Sequence, residues 1–168
     1  DPSNRMNTGK VIDLDGPAYG ITDNLRLGED YNPPQPPTHF SYTGDKYSFA
    51  RAALRCVGAG VCRREGHGTM CPSYMVTREE KHSTRGRARM LFEMMNGEVI
   101  DDGWKSEEVK DALDLCLSCK GCKGDCPVNV DMATYKSEFL SHYYDGRLRP
   151  RHAYAFGWIH LWASLASR

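Results

Sequence analysis

The chain of 168 residues carries no excess charge of either sign, since 22 Lys and Arg stand against 22 Asp and Glu. Proteins that hold nucleic acid or an anionic membrane show a basic surplus or a one-sided basic patch, so neither partner is expected. Large aliphatics are also scarce: about one residue in six is Leu, Ile, Val or Phe, under the roughly 20% at which disorder becomes a concern if net charge is high. Net charge is not high, and the expectation is a folded chain short of core material. Long apolar runs are missing too. The longest apolar-rich stretch, residues 153–166, is interrupted by Gly157, His160 and Ser164, too short and too polar to span a bilayer. The chain opens on Asp1 without a tripartite targeting segment and closes in a helix-like pattern at Ser167-Arg168. A piece of a longer protein without a signal peptide is expected.

Cysteine is present but in the wrong amount for a disulfide scaffold. Seven Cys make up about 4% of the chain, under the roughly 8–10% of such scaffolds, and the number is odd. Residues 1–45 are rich in turn formers, and Pro33-Pro34-Gln35-Pro36-Pro37 favours an extended polyproline segment. Val11-Ile12 is the one candidate strand. From Asp45 the pattern turns helical. Asp45 is expected to cap a helix over 46–56, with Phe49, Ala50, Ala53 and Leu54 on its apolar side. A second helix is expected from Ser83 or Thr84 to Asn96 with Gly97 as its stop, and a third after Ser106, with Glu107 and Glu108 in its first turn. Asp131 caps a fourth through Tyr144, and a fifth begins near Pro150 and runs to the end. No stretch alternates with period two, so the expected fold is all-α, with an extended, Pro-rich N-terminal arm.

The strongest chemical signal is Cys116-Leu-Ser-Cys119-Lys-Gly-Cys122-Lys-Gly-Asp-Cys126-Pro127, a full C-x2-C-x2-C-x3-C-P run. Three thiolates at three-residue steps can wrap one iron-sulfur cubane, while the fourth, turned away by proline, serves a different cluster when two are present. Zinc would explain a bare C-x2-C equally well but fits this run much less closely. The other three, Cys56, Cys62 and Cys71, form a looser group, in which Cys56-Val-Gly-Ala-Gly-Val-Cys62 has Ala59 where a regular run has its central Cys. Small buried thiols are the plain alternative. Cys71-Pro72, however, repeats the Cys-Pro ending of the long run. With each Cys-Pro thiolate crossing over, cluster one takes Cys116, Cys119, Cys122 and Cys71, four thiolates for a 4Fe-4S cubane. Cluster two takes Cys56, Cys62 and Cys126, as a 3Fe-4S cluster or as a 4Fe-4S cluster with another ligand or an open iron. His67, between Gly66 and Gly68, is the nearest candidate for an extra ligand.

These residues, with Gly68-Thr-Met-Cys71-Pro-Ser-Tyr, Glu79-Glu-Lys-His-Ser-Thr-Arg-Gly-Arg-Ala-Arg and Ala112-Leu-Asp-Leu-Cys through Asp131-Met-Ala, resemble the iron-sulfur segment of large FAD/Fe-S oxidoreductases. That family joins a D-lactate-dehydrogenase-type, FAD-linked oxidase flavoprotein to a two-cluster module and includes D-2-hydroxyglutarate dehydrogenases. The resemblance is strong over residues 40–145 and extends upstream, where Asp1-Pro-Ser-Asn-Arg-Met-Asn-Thr-Gly-Lys-Val-Ile resembles the closing segment of the FAD-linked oxidase domain. It implies four parts: the end of that domain over 1–15, a linker over 16–45, an α-helical, two-cluster ferredoxin domain over 46–145, and a helix over 146–168 leading to a cysteine-rich downstream domain. It further implies a relay of single electrons from FAD bound upstream, with no catalytic residue in this chain. The module is also similar to the iron-sulfur subunits of succinate dehydrogenase and glycolate oxidase. In the former a C-x5-C pair with a crossing Cys-Pro holds a 3Fe-4S cluster; the description of the family as 4Fe-4S pulls the other way. A fragment of a glycolate- or glycerol-3-phosphate-type dehydrogenase is the alternative within the same chemistry, and a zinc-stapled interaction module is the rival outside it.

The basic stretch Arg78, Lys81, Arg85, Arg87 and Arg89 reads either as a solvated helix face or, at Arg85 and Arg87, as support for anionic cluster one. Trp158, His160 and Trp162 read as packing residues for the downstream domain. Clusters of this kind are assembled in reducing compartments, so the expected location is the cytoplasm. The purified chain is expected to be brown and bleached by dithionite; a colourless protein carrying stoichiometric zinc would sink the iron-sulfur reading.

Overall fold

A computed structural model describes residues 27, 28 and 30–167. The chain divides into two units, Asp1–Pro33 and Pro34–Arg168. In the first, no described residue lies in a helix or strand, and the expected strand at Val11-Ile12 and the boundary near residue 15 lie outside the described residues. The described residues of the second form eight helices: α1 (Phe49–Leu54), α2 (Pro72–Thr77), α3 (Thr84–Asn96), α4 (Glu107–Asp114), α5 (Gly121–Asp125), α6 (Met132–Tyr143), α7 (Arg151–Gly157) and α8 (Ile159–Ala166). A 3-10 turn, Thr43–Asp45, precedes α1, and three more, Val61–Arg63, Glu80–His82 and Gly103–Lys105, lie between helices. No strand occurs among the described residues, and the all-α expectation is borne out.

Three helices start where their capping residues require. Ser83 Oγ accepts the Gly86 N–H at 2.9 Å, Ser106 Oγ the Val109 N–H at 3.2 Å and Asp131 Oδ1 the Thr134 N–H at 3.2 Å, each satisfying a donor that the first turn leaves unpaired. Gly97 ends α3 in the left-handed region at φ 72°, its N–H on Glu93 O. Elsewhere local geometry overrides the periodicity. The helix expected over 46–56 begins only at Phe49, capped by Ser48 rather than Asp45, because Lys46 and Tyr47 take φ values of 53° and 60° that no α-helix accepts. The Asp45 carboxylate pairs instead with Arg55 Nε at 2.5 Å. The single helix expected from Pro150 is two, parted at Trp158 with φ −107° and ψ 19°. The short helices α2 and α5 escape periodicity altogether. Each follows a residue in the left-handed region, Cys71 at φ 53° and Lys120 at φ 59°, and Pro72 suits the first position of α2.

The core joins α1, α3, α4 and α6 through buried Phe49, Leu91, Val109, Leu113, Met132 and Phe139. An aromatic group ties α1 to α6, with the Phe49 and Tyr135 rings edge to face at 5.9 Å and the Tyr135 hydroxyl donating to Ala52 O at 2.9 Å. Cys62, Cys71, Cys122 and Cys126 belong to the same core. They occupy positions that aliphatics fill in a chain richer in Leu and Ile. Residues 34–38 form no helix or strand, and the arm is then fastened to α6, where the backbone N–H groups of His39 and Phe40 donate to the carboxylate of fully buried Glu138 at 2.8 and 2.9 Å. By contrast, α7 and α8 bury no residue, and Phe156, Trp158, Ile159, Trp162 and Leu165 are all exposed. No described helix is long and apolar enough to cross a membrane.

Gly86 is the tightest point of the fold. A Cβ there would lie 1.9 Å from the Glu80 carbonyl oxygen and 2.6 Å from its carbon, so the 3-10 turn Glu80–His82 could not keep its place against α3. Gly86→Ala is expected to cost roughly 3 kcal/mol or more, the upper end of overpacking penalties. Gly97→Ala, with nothing within 4 Å, is expected to cost about 1–2 kcal/mol through its left-handed backbone alone. Denaturant midpoints of the two variants check this; equal losses would overturn it.

Candidate metal centre

The seven cysteines line two cavities. The first is lined by Cys71, Cys116, Cys119 and Cys122. Cys116 lies two residues past the end of α4 and Cys122 inside α5. Between them Ser118 and Lys120 adopt φ values of 53° and 59°, turning the chain so that sulfurs at three-residue steps face one space. Cys71 reaches the same space from the start of α2. Cys122 is buried and its thiol is pushed up by that burial, while the Met132 N–H at the start of α6 pulls it down.

The second cavity is lined by Cys56, Cys62 and Cys126, together with Ala59, Gly60 and Met70 among others. Cys126 follows α5 directly, its N–H on Cys122 O at 2.9 Å, yet Cys122 and Cys126 face different cavities. Where a fourth thiolate would be sought the lining offers Ala59 and Gly60. His67 is exposed, at φ 68°, and lines neither cavity.

The first turn of α3 stands between the two sulfur groups, and Thr84 lines both cavities. Its N–H donates to Cys71 Sγ at 3.0 Å, and its Oγ1 lies 2.8 Å from the same sulfur. One residue on, the Arg85 N–H donates to Cys62 Sγ at 3.3 Å. The Cys71 thiol itself hydrogen-bonds to Cys62, which brings Cys62 down to about 6 against the opposing effect of burial; the same bond and burial push Cys71 up. Helix N-terminal amides favour a thiolate for the same electrostatic reason.

Arg87 and Arg85 part company. Two residues along a helix turn a side chain by about 200°, and Arg87 lines the four-cysteine cavity while Arg85 lines the other. Arg87 is 2% exposed, donating from Nε to Ala112 O at 2.7 Å and from Nη2 to Ser73 Oγ at 2.9 Å. Burial lowers its pKa, and Cys116, Cys71, Cys122 and Cys62 act in the opposite direction. The Arg85 side chain is held by Glu80 at 2.6 Å and does not support the four-cysteine cavity. The solvated-face reading fits exposed Arg78, Lys81 and Arg89 and fails at Arg87. Lys136, half-buried, adds a second cation on the cysteine run, donating to Cys116 O at 2.8 Å. Nothing in the local sequence marked it, although its place one turn after Met132 on α6 would bring it to that run.

The sulfurs stand wider apart than a single zinc holds its ligands. A tetrahedral zinc with Zn–S near 2.3 Å holds its sulfurs about 3.8 Å apart, whereas among the described residues no three cysteine sulfurs lie within 4.8 Å of one another. A cluster several ångströms across, with iron atoms at its corners, fits four thiols ringed around a cavity.

Residues 52–130 match the 4Fe-4S dicluster domain family. The chain is 30% identical to a D-2-hydroxyglutarate dehydrogenase of Pseudomonas putida over 94% of its own length and 18% of that protein's. It is 29% identical to that of Haemophilus influenzae over 89% of the chain and 17% of the relative. Similarity to the glycolate oxidase iron-sulfur subunit of Escherichia coli, 28% identical, covers 45% of the chain and 16% of that subunit. No solved structure gives a significant match. The chain thus spans less than a fifth of the length of these relatives. Over residues 52–130 the chain is similar to the 4Fe-4S dicluster domain family, and it is similar to D-2-hydroxyglutarate dehydrogenases and to glycolate oxidase iron-sulfur subunits.

Arg87→Ala is expected to cost about 3 kcal/mol of stability, because Ala112 O and Ser73 Oγ lose a charged donor, and to lower the midpoint potential of the cluster beside it. If potential and iron retention both stayed unchanged, Arg87 would have no part in supporting that cluster.

Proposed function

We propose that this chain is the electron-relay segment of an FAD-dependent D-2-hydroxy acid dehydrogenase, acting on D-2-hydroxyglutarate or a D-lactate-like acid. The observation that carries the reading is the pair of thiol-lined cavities sharing a wall at Thr84. In this reading Cys71, Cys116, Cys119 and Cys122 hold a 4Fe-4S cluster. Cys56, Cys62 and Cys126 hold the second, with a three-thiolate set that suits 3Fe-4S or a 4Fe-4S cluster with one open iron. Bound there, the clusters supply one-electron redox chemistry.

The chain's own residues do the holding and tuning. Thr84 and Arg85 direct backbone donors at Cys71 and Cys62, and buried Arg87 and half-buried Lys136 place positive charge near the first group of cysteines, which favours the more reduced, more negative state. Substrate oxidation, the loss of two electrons and two protons from a D-2-hydroxy acid to give the 2-oxo acid, belongs to an upstream FAD-linked oxidase domain. That leaves this chain without a catalytic residue. The apolar faces of α7 and α8 suit burial against a downstream, cysteine-rich domain of the same polypeptide. A reducing compartment, the cytoplasm, suits the clusters. Relatives named D-2-hydroxyglutarate dehydrogenase align with 89% to 100% of the chain, against 45% for the glycolate oxidase subunit of Escherichia coli, which favours the former over the latter.

In the intact polypeptide, anaerobic mixing with D-2-hydroxyglutarate is expected to reduce the flavin and then bleach the visible absorption of the clusters. Cys71→Ser is expected to leave flavin reduction in place and abolish or slow cluster reduction at least tenfold. Flavin and clusters that stayed oxidised with a whole panel of D-2-hydroxy acids would overturn the reading.

A further inference from the structure

A second group of ligand-capable side chains lies where the proline-rich arm meets α6. Glu138 and His142 stand one turn apart on the same face of that helix, with His142 Nε2 2.9 Å from Glu138 Oε1. His39, brought in from the arm, sets its ring 5.1 Å from that of His142. One ligand atom from each of the three lies within 4.8 Å of the others.

Three observations favour a cation here over a plain hydrogen-bonded pair. Glu138 is fully buried, and its ion-pair partner is His142, which is charged only when protonated. A buried carboxylate keeps a net negative charge that hydrogen-bond donors do not neutralise and a cation does. Its orientation, moreover, is already set: His39 N–H donates to Oε1, while Phe40 N–H and the Tyr42 hydroxyl donate to Oε2. This is the supporting shell that a metal-binding carboxylate requires. Finally, His142 is stacked on Trp104 at 4.3 Å and 22°, which fixes its ring with Nε2 toward Glu138. Two imidazoles and a carboxylate form a donor set that zinc accepts, with an open fourth position. Bond lengths of about 2.0–2.2 Å put such ligand atoms roughly 3.3 Å apart, so the exposed His39 ring has only a short distance to close.

We propose that His39, Glu138 and His142 bind a zinc-type divalent cation, with water as the fourth ligand, and that this ion locks the arm onto α6. The ion takes the place of the proton between His142 Nε2 and Glu138 Oε1, which leaves to solvent, and the carboxylate keeps its backbone donors. The site is independent of the cysteines and of the proposed relay.

The test uses the chain with its clusters assembled, equilibrated with zinc chloride under anaerobic conditions and freed of loose metal by gel filtration. One zinc per chain is expected, with iron content unchanged, and X-ray absorption at the zinc edge is expected to show nitrogen and oxygen ligands near 2.0–2.1 Å rather than sulfur near 2.3 Å. His39→Gln, at an exposed position, is expected to weaken zinc binding at least tenfold and to abolish the rise in melting temperature that zinc produces in the unsubstituted chain. Zinc that is not retained, that is sulfur-ligated, that raises no melting temperature, or that binds His39→Gln equally well overturns the proposal.

Discussion

Two backbone amides at the start of α3 organise the molecule. The N–H groups of Thr84 and Arg85 belong to the first turn, where a helix has no carbonyls of its own to offer them, and both are spent on sulfur: Cys71 for one, Cys62 for the other. One helix end therefore touches both cysteine groups, and the distance between the two cavities is set by a single residue step along the backbone. The 3-10 turn Glu80–His82 must lie against that same first turn, which is why position 86 admits nothing larger than hydrogen. Ser83 completes the arrangement. Its hydroxyl caps α3 through Gly86 and donates to Glu80 O, so the turn and the helix share one side chain.

The helix also sorts charge. Arg85 and Arg87 are two steps apart and so point to different cavities, one half-buried and paired with Glu80, the other fully buried without a carboxylate partner among its hydrogen bonds. An unpaired buried guanidinium is unfavourable by several kcal/mol after relaxation. The cost is tolerable only where negative charge lies close by, and the groups that act to hold Arg87 charged are the sulfurs of Cys116, Cys71, Cys122 and Cys62. Lys136 repeats the pattern from α6, with burial lowering it and Cys116 the first group opposing that. Buried Arg87 and half-buried Lys136 together suit an anion held by the cysteines of the first cavity. A thiolate-bound iron-sulfur cluster is such an anion; neutral thiols are not.

Much of this was legible in the chain. The capping residues Ser83, Ser106 and Asp131 and the stop at Gly97 located three helices because each places a side-chain acceptor or a permissive backbone at a fixed offset from a helical stripe. The grouping of Cys71 with the later run followed from the two Cys-Pro pairs, since proline redirects the chain whatever the fold. Hidden from the sequence were features that depend on φ: Lys46 and Tyr47 in the left-handed region delay α1 to Ser48, and Cys71 and Lys120, similarly placed, launch α2 and α5. Non-glycine residues enter that region only when tertiary contacts outweigh the local cost, and periodicity carries no trace of those contacts. Arg85 and Arg87 were legible as a pair and not as opposites, because their partners come from distant segments. Glu138 gave no signal at all, its donors lying almost a hundred residues earlier.

The scarcity of aliphatic residues then acquires a physical reading. Four buried cysteines sit in the core among Leu91, Val109, Leu113 and Phe139, and a thiol contributes less apolar area than the Leu or Ile it stands in for. A core of this kind is marginal without further cross-links. Cys71 joins α2 to the loops around α5, and Cys126 joins α5 to the segment after α1, so metal bound across either group closes loops of several tens of residues. Metal that binds only the folded arrangement adds its binding free energy to folding. The residues that carry electrons in the proposed relay are thus also those that compensate for the missing aliphatics. Stability and redox function cannot be separated by substitution at any one of the seven cysteines, nor at Arg87, whose hydrogen bonds hold the fold while its charge acts on the cluster, whereas Gly86 alters stability alone.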